Sequence, residues 1–224
     1  MFNHVELNFE PEKLQTEMVE GKRLYLTPTG EKYPSITTVL GWFSAKSIAA
    51  WRKRVGEKTA NKITSQASRR GTKVHQMCED YLNNLDAFPK GTMPTDVELF
   101  KVLKPVLDNA VSDIYVQECN LYSDHLGLAG TVDCIAKYSG KLSVIDFKTS
   151  RQSMIGDPYG KLEKYFRQAA GYAVMFEERY DIPVQQLVII AAVDGKTEPE
   201  VFVSKRDRHI GGLIDMVKEY KENN

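Results

Sequence analysis

Two strand-like segments joined by the dipeptide Ser139-Gly140 constrain the fold of this chain more than any other feature. Residues 127–138 and 141–149 are rich in β-branched and apolar side chains, and Ser-Gly between them favours a tight hairpin turn. If these two residues form the centre of the turn, Asp133 lies directly opposite Asp146, with Cβ atoms roughly 4.5–5.5 Å apart.

Two opposed carboxylates repel each other and need a counterion, a proton or strong hydrogen bonds. A hard divalent cation resolves the repulsion, because Mg²⁺ takes one or two carboxylates together with water and substrate phosphate. Lys148 lies two residues after Asp146 and therefore on the same face, where it could hold or deprotonate a water. The alternative is an exposed Asp–Lys lattice on a surface hairpin. Apolar neighbours argue instead for buried strands: Ala129, Val132, Ile135, Val144, Ile145 and Phe147.

Candidate ligands from outside the hairpin are His75, Glu79 and Glu118. His75 and Glu79 lie four apart in a segment with helical periodicity, so they share one face of that helix. His75 could supply an imidazole ligand, or simply pair with Glu79. Glu118 is expected at the end of a strand and is a further candidate carboxylate.

A helix predicted over residues 160–180 carries a polar and aromatic stripe formed by Tyr165, Gln168 and Tyr172. Gln168 could donate to phosphate oxygens and Tyr172 could pack or stack on a base. The alternative is the edge of the protein core. Gly171 in the helix interior costs roughly 1 kcal/mol relative to Ala, so another element should approach closely there.

Residues 46–73 hold nine basic residues and one acid, Glu57. A solvated helix face is the ordinary explanation of such a run. The near absence of acids within the run favours phosphate binding instead. The basic residues we expect to contact DNA are Arg52, Arg54, Arg69, Arg70 and Lys73.

The rest of the pattern predicts an α/β protein with a mixed sheet covered by helices on both sides. We expect an N-terminal extension at 1–34, a helical segment at 35–110 and a core at 111–224, all in one structural domain. Helices are predicted at 71–85, at 96–109 with a possible break at Pro105, and at 208–221. Further strands are predicted at 23–26, 114–118, 186–193 and 200–204.

Composition excludes several classes of protein. The 224 residues carry 30 Lys and Arg against 30 Asp and Glu, so the chain is not a polycation that coats nucleic acid. The longest wholly apolar run has seven residues, far below the roughly 20 that span a bilayer. Three separated cysteines do not make a zinc finger or an iron–sulfur site. We read no targeting segment and expect a cytoplasmic protein.

The motifs Asp133, Asp146-Phe-Lys148 and Gln168-x-x-x-Tyr172, with His75 upstream, resemble the PD-(D/E)xK nuclease superfamily and its RecB-type exonuclease branch. The segments 33–40, 51–56 and 71–75 are similar to mitochondrial genome maintenance exonucleases and their phage-encoded relatives. The resemblance implies a restriction-endonuclease-like sheet, with the N-terminal helical segment over the active site. It also favours a bacterial or phage origin, and it leaves repair, recombination and DNA recycling open.

Roles carried over from this resemblance are specific. Asp133, Asp146, His75 and the Phe147 carbonyl would bind Mg²⁺ or Mn²⁺, and Lys148 would orient or activate the water. Gln168 and Tyr172 would support the metal site and the DNA backbone. We also expect Tyr165 and Thr149 to contact DNA. No iron–sulfur cluster is expected.

Three functions remain open from the sequence. The favoured function is a metal-dependent exonuclease that acts on free single-stranded DNA ends threaded under the helical segment. An endonuclease of the same fold, of the repair or restriction type, is the second. A non-catalytic DNA-binding module is the third, although such a module would be expected to have lost one of Asp133, Asp146 and Lys148.

Overall fold

The structure, a computed structural model, describes residues 1–8, 10–11, 13–88, 92–157 and 160–224. The elements in chain order are β1 (Gln15–Val19), β2 (Lys22–Leu26), β3 (Lys32–Pro34), α1 (Ile36–Val55), α2 (Glu57–Leu82), α3 (Pro94–Ala110), β4 (Val111–Ser123), β5 (Leu128–Tyr138), β6 (Lys141–Ser150), α4 (Lys161–Tyr180), β7 (Gln186–Val193), β8 (Glu200–Lys205), a 3₁₀ turn (Arg206–Arg208) and α5 (Ile210–Glu222).

The main sheet has five strands in the order β4-β5-β6-β7-β8. β4, β5 and β6 are antiparallel neighbours, β6 and β7 are parallel, and β8 returns antiparallel to β7. A parallel pair needs a crossover connection, and α4 supplies it between β6 and β7. The predicted α/β fold, a mixed sheet flanked by helices, is confirmed.

Helices cover the sheet on both faces. One core cluster joins the sheet to α1, α4 and α5, and includes the fully buried Phe176. The other joins it to α2 and α3, and includes the fully buried Phe100. Burying a large apolar side chain contributes about 1.5–3 kcal/mol, so both layers stabilise the sheet between them. None of the described helices combines the length and the apolar character needed to cross a bilayer.

The N-terminal residues form a second, three-stranded antiparallel sheet in the order β1-β2-β3. The sequence predicted only its middle strand, β2. Isolated bridges join His4 to Ile114 and Ser35 to Ala129, and Tyr25 packs with Tyr122 and Ala129. The N-terminal segment is therefore attached to β4 and β5.

Several predicted boundaries are wrong. The helix expected at 71–85 begins at Glu57, and Gly71 lies in its interior facing β6, where a Cβ would lie 3.9 Å from Thr149 Oγ1. The break expected at Pro105 does not occur, since α3 continues to Ala110. The strand expected at 114–118 is the much longer β4, because it pairs along the whole of β5.

Close packing at Gly171 is confirmed. A Cβ on this residue would lie 2.3 Å from Ile36 Cδ1. Gly171 therefore lets the start of α1 pack directly on α4.

Ser35 caps α1, because its Oγ accepts a hydrogen bond from the Thr38 N–H at 3.0 Å.

Candidate metal centre

The hairpin between β5 and β6 has the register that the sequence predicts. Tyr138 pairs with Lys141 next to the turn, and the pairing continues to Cys134 and Ile145. One step further, the Asp133 carboxylate replaces a backbone acceptor, because its Oδ2 accepts a hydrogen bond from the Phe147 N–H at 3.0 Å. The two strands therefore separate at Asp133, and its side chain lies between them.

Three predicted ligands come together at this point. Ligand atoms of His75, Glu118 and Asp133 all lie within 4.8 Å of one another. His75 Nδ1 lies 3.3 Å from Asp133 Oδ2. His75 comes from α2, Glu118 from β4 and Asp133 from β5. An imidazole and two carboxylates suit a divalent cation such as Mn²⁺ or Mg²⁺.

Glu118 occupies an unusual backbone conformation for a strand residue. Its φ is +43°, in the left-handed region that non-glycine residues rarely adopt. Such a conformation costs on the order of 1 kcal/mol and persists only where the surroundings hold it. It accompanies the approach of the Glu118 carboxylate to His75 and Asp133. The sequence placed Glu118 at the end of its strand, whereas it lies within β4.

Burial and nearby charge govern the protonation of these groups. Burial, together with the charges of Asp133 and Glu79, raises the pKa of Glu118 to about 7. Burial also acts to raise the pKa of Asp133, but His75 and Lys148 outweigh it and hold the pKa below its usual value. The Asp133 carboxylate raises the pKa of His75 against the effect of burial. A cation would relieve this concentration of negative charge.

Asp146 does not join this group of three. It is 2% exposed and forms an ion pair with Lys148 instead. Among the described residues, the ion pair with Lys148 is the one polar contact of its carboxylate oxygens. Burial raises the pKa of Asp146 to about 6, although Lys148 acts against it. A buried carboxylate with so few partners is a suitable further ligand for a cation between the strands.

Lys148 lies at the edge of the group. Its Nζ is 4.8 Å from the centre of the Tyr165 ring, which suits a cation–π contact. The buried Phe147 between the two charged residues has its N–H directed at β5. The N–H and C=O of one strand residue point to the same side, so its carbonyl is directed at β5 as well.

Gln168 and Tyr172 lie beside the group and contact each other, with Gln168 Nε2 donating to the Tyr172 hydroxyl at 3.3 Å. Tyr172 is only 2% exposed. A Cβ on Gly130 would lie 2.8 Å from Tyr172 Cε1, so this glycine makes room for the ring. Stacking of Tyr172 on a base, which the sequence left open, is therefore wrong, because its ring is buried in the protein.

Salt bridges account for part of the basic run, contrary to the sequence prediction. Arg52 pairs with Glu57, Arg69 with the fully buried Asp96 at 2.9 Å, and Arg70 with both oxygens of Asp194 at 2.7 and 2.8 Å. Asp96 and Asp194 lie outside the run in sequence, so the composition of the run does not reveal these pairs. Arg54 and Lys73 are exposed.

A cavity of about 430 Å³ opens onto the three ligands and is lined by Gly71, Thr72, His75, Gln76, Glu79, Glu118 and Asp133. Glu79 therefore lies beside the candidate centre, outside the group of three. The sequence did not predict that Thr72 lines this cavity. Its position three residues before His75 on the same helix could have indicated it, because residues three apart share a helix face. A larger cavity of about 600 Å³ lies beside Arg70 and contains none of the three ligands.

The fold and this cluster define an α/β protein with a candidate metal centre where β5 and β6 separate. The sequence is similar to mitochondrial genome maintenance exonuclease 1 of Homo sapiens, at 29% identity over 185 residues, covering 72% of this chain and 50% of that protein. The Mus musculus protein is 26% identical over 204 residues, covering 84% and 59%. The resemblance to mitochondrial genome maintenance exonucleases that the sequence indicated is thus confirmed.

The chain spans about half the length of the curated relatives it matches. No family model matches the chain. Among solved structures, an alkaline exonuclease from Laribacter hongkongensis has a TM-score of 0.41 and 12% identity, covering 70% of this chain and 79% of its own.

Proposed function

We propose that this chain is a metal-dependent DNA exonuclease that hydrolyses phosphodiester bonds with water, starting from free single-stranded ends. The observation that carries the proposal is the meeting of His75, Glu118 and Asp133 beside the buried Asp146–Lys148 pair. The names of the curated relatives support an exonuclease activity.

Mg²⁺ or Mn²⁺ is the proposed ion, because oxygen ligands with one imidazole suit both. His75, Glu118 and Asp133 would hold it, with Asp146 and the Phe147 carbonyl as further ligands. Bound there, the ion would polarise the scissile phosphate and lower the pKa of a bound water.

Lys148 is proposed to orient the attacking water and to neutralise the charge that develops on the phosphate. Its ammonium group has three donors, of which the Asp146 carboxylate and the Tyr165 ring leave capacity for one more partner. Charge stabilisation of this kind by one donor contributes about 10²–10³ in kcat.

The exposure of α1 and α2 supports access of a DNA end to the candidate site. The second half of α1 and the first half of α2 are mostly exposed, whereas Ile36, Val39 and Leu40 at the start of α1 are buried. These exposed halves adjoin at Gly56, and α2 continues from there to His75. Exposed Arg54 and Lys73 belong to the same two helices and suit contacts with phosphate.

The test compares end-labelled linear single-stranded DNA with covalently closed single-stranded circles, each with Mg²⁺, Mn²⁺ or EDTA. We expect metal-dependent loss of the linear strand and intact circles, and the label gives the direction of digestion. An Asp146→Asn variant should lose cleavage, whereas Asp215→Asn on the exposed side of α5 should keep it.

Cutting of circles would replace the exonuclease by an endonuclease of the same fold. Binding without cleavage under both metals would leave a DNA-binding module. Equal activity of Asp146→Asn and the wild-type protein would contradict the proposed site itself.

A further inference from the structure

Lys164 lies half-buried on the first turn of α4, between α4 and α1. Its Nζ donates a hydrogen bond to Ser44 Oγ at 3.1 Å. In the parts of the chain that the structure describes, no carboxylate forms an ion pair with Lys164, and burial lowers its pKa. Withdrawing a cation from water without a counterion is unfavourable, so the position suits an anion supplied from outside.

Helices α1 and α4 pack side by side around Lys164. Ile36 at the start of α1 touches α4 at Gly171, and Ser44 touches it again at Lys164. Eight residues along one helix and seven back along the other are each about 10–12 Å, so the two helices run antiparallel side by side. Beyond Ser44, residues 45–50 of α1 are exposed.

Helix α4 also carries the residues that lie beside the candidate metal centre. Lys164 and Gln168 lie one helical turn apart and share a face of α4. Gln168 contacts Tyr172, and the neighbouring Tyr165 contacts Lys148. Lys164 therefore lies on the same helix as the residues that contact Lys148 and surround the candidate metal centre.

We propose that Lys164, positioned by Ser44, binds a backbone phosphate of the DNA strand, close to but distinct from the phosphate that is hydrolysed. An ammonium group offers donors to phosphate oxygens without reading base identity, and the Ser44 hydroxyl, which donates to the Leu40 carbonyl at 3.3 Å, holds that ammonium group in place. The inference rests on the proposed nuclease function and adds to it a binding site on α4. Its effect is on substrate binding and not on the hydrolytic step.

The experiment measures binding of a fluorescein-labelled single-stranded oligonucleotide to the full chain by fluorescence anisotropy, with Ca²⁺ as the divalent ion, over a series of salt concentrations. Lys164→Met keeps the length of the side chain and removes its charge. We expect the Kd to rise about tenfold, and the slope of log K against log salt to fall by about 0.7, the value for one phosphate on a single strand. Lys141→Met at the β5–β6 turn is the matched control and should change neither.

Lys164→Arg separates the effect of charge from that of packing, because it keeps the positive charge. The Kd of this variant should lie within about threefold of the wild-type value. Melting temperatures of all variants verify that they are folded. A folded Lys164→Met protein with wild-type Kd and salt slope would overturn the proposal, and so would equal weakening by Met and Arg. If the wild-type protein degrades linear DNA and Lys164→Met does so with an unchanged KM, this inference fails while the proposed function stands.

Discussion

Asp133 accepts a hydrogen bond from the backbone N–H of Phe147 at the point where β5 and β6 stop pairing. The carboxylate thus makes the last hydrogen bond between the two strands and also contacts His75. Its position is fixed by the backbone of the neighbouring strand, which suits a ligand that must stay in place without an ion. Four predictions follow from the structure around this contact and from the packing of the fold.

Removing ligands should weaken metal binding. We expect His75→Gln and Glu118→Gln each to reduce Mn²⁺ affinity at least tenfold, because each removes or weakens one of the three neighbouring ligands. Isothermal titration calorimetry with Mn²⁺ measures this directly. Glu79→Gln is the matched control, since Glu79 lies in the same cavity outside the group of three, and its effect should be smaller. Equal losses for Glu79 and Glu118 would contradict the ligand set.

Neutralising Lys148 should affect both activity and protonation. Lys148→Met removes the ion-pair partner of Asp146, so the pKa of this buried carboxyl should rise above about 6. Cleavage of linear DNA should fall about 10²–10³-fold in kcat. Steady-state kinetics measures the activity, and NMR of the carboxyl carbon measures the pKa. Lys141→Met should leave both unchanged, and a fall in Asp146 pKa would refute the pairing.

Gly171→Ala should destabilise the fold. The new Cβ would lie 2.3 Å from Ile36 Cδ1, and overpacking of this kind costs about 1–3 kcal/mol, more than the gain in helix propensity of roughly 1 kcal/mol. Urea denaturation gives the free energy of unfolding. Gly211→Ala in α5 meets nothing within 4 Å and should be neutral or stabilising. Shortening Ile36 to Val should rescue part of the loss, and its failure to do so would exclude the clash as the cause.

Glu200 should make stability depend on pH. Burial acts to raise its pKa, but Lys196, Ser153 and the Met154 N–H outweigh it and hold the pKa below its usual value. A lowered folded-state pKa adds stability above the unfolded pKa, near 4.3, and that stability is lost as the pH falls through the folded value.

Glu200→Gln should therefore lower the free energy of unfolding at pH 7 by about 1–3 kcal/mol, and the difference from wild type should shrink toward pH 3. Urea denaturation at a series of pH values measures it. Glu198→Gln, at an exposed position, should be neutral throughout. A difference that does not change with pH would mean that the charge of Glu200 is not what stabilises the fold.

Much of the candidate site could be predicted because strand geometry is local. A period of two and a two-residue turn determine the register of a hairpin, so the alignment of β5 with β6 followed from Ser139-Gly140. The spacing of Gln168 and Tyr172 likewise predicted that they share one face of a helix, and in α4 they contact each other. The roles of these residues in catalysis and DNA binding stay predictions.

Ion-pair partners could not be predicted in the same way. Arg70 pairs with Asp194, 124 positions later, because α2 crosses the end of β7 in the folded chain. The basic run contains no signal of that crossing. Its apparent excess of charge was therefore an incomplete guide to which residues remain exposed.

Strand alternation and the two-residue turn were enough to predict the mixed α/β fold and the hairpin register, and motif spacing supplied the residues proposed for a metal centre. How those residues divide depends on the folded chain, which brings Glu118 beside His75 and Asp133, and Asp146 beside Lys148. Alternation fixes only the face of the sheet on which a side chain lies, whereas its neighbours depend on the left-handed backbone at Glu118 and on the packing of α2 over the strands.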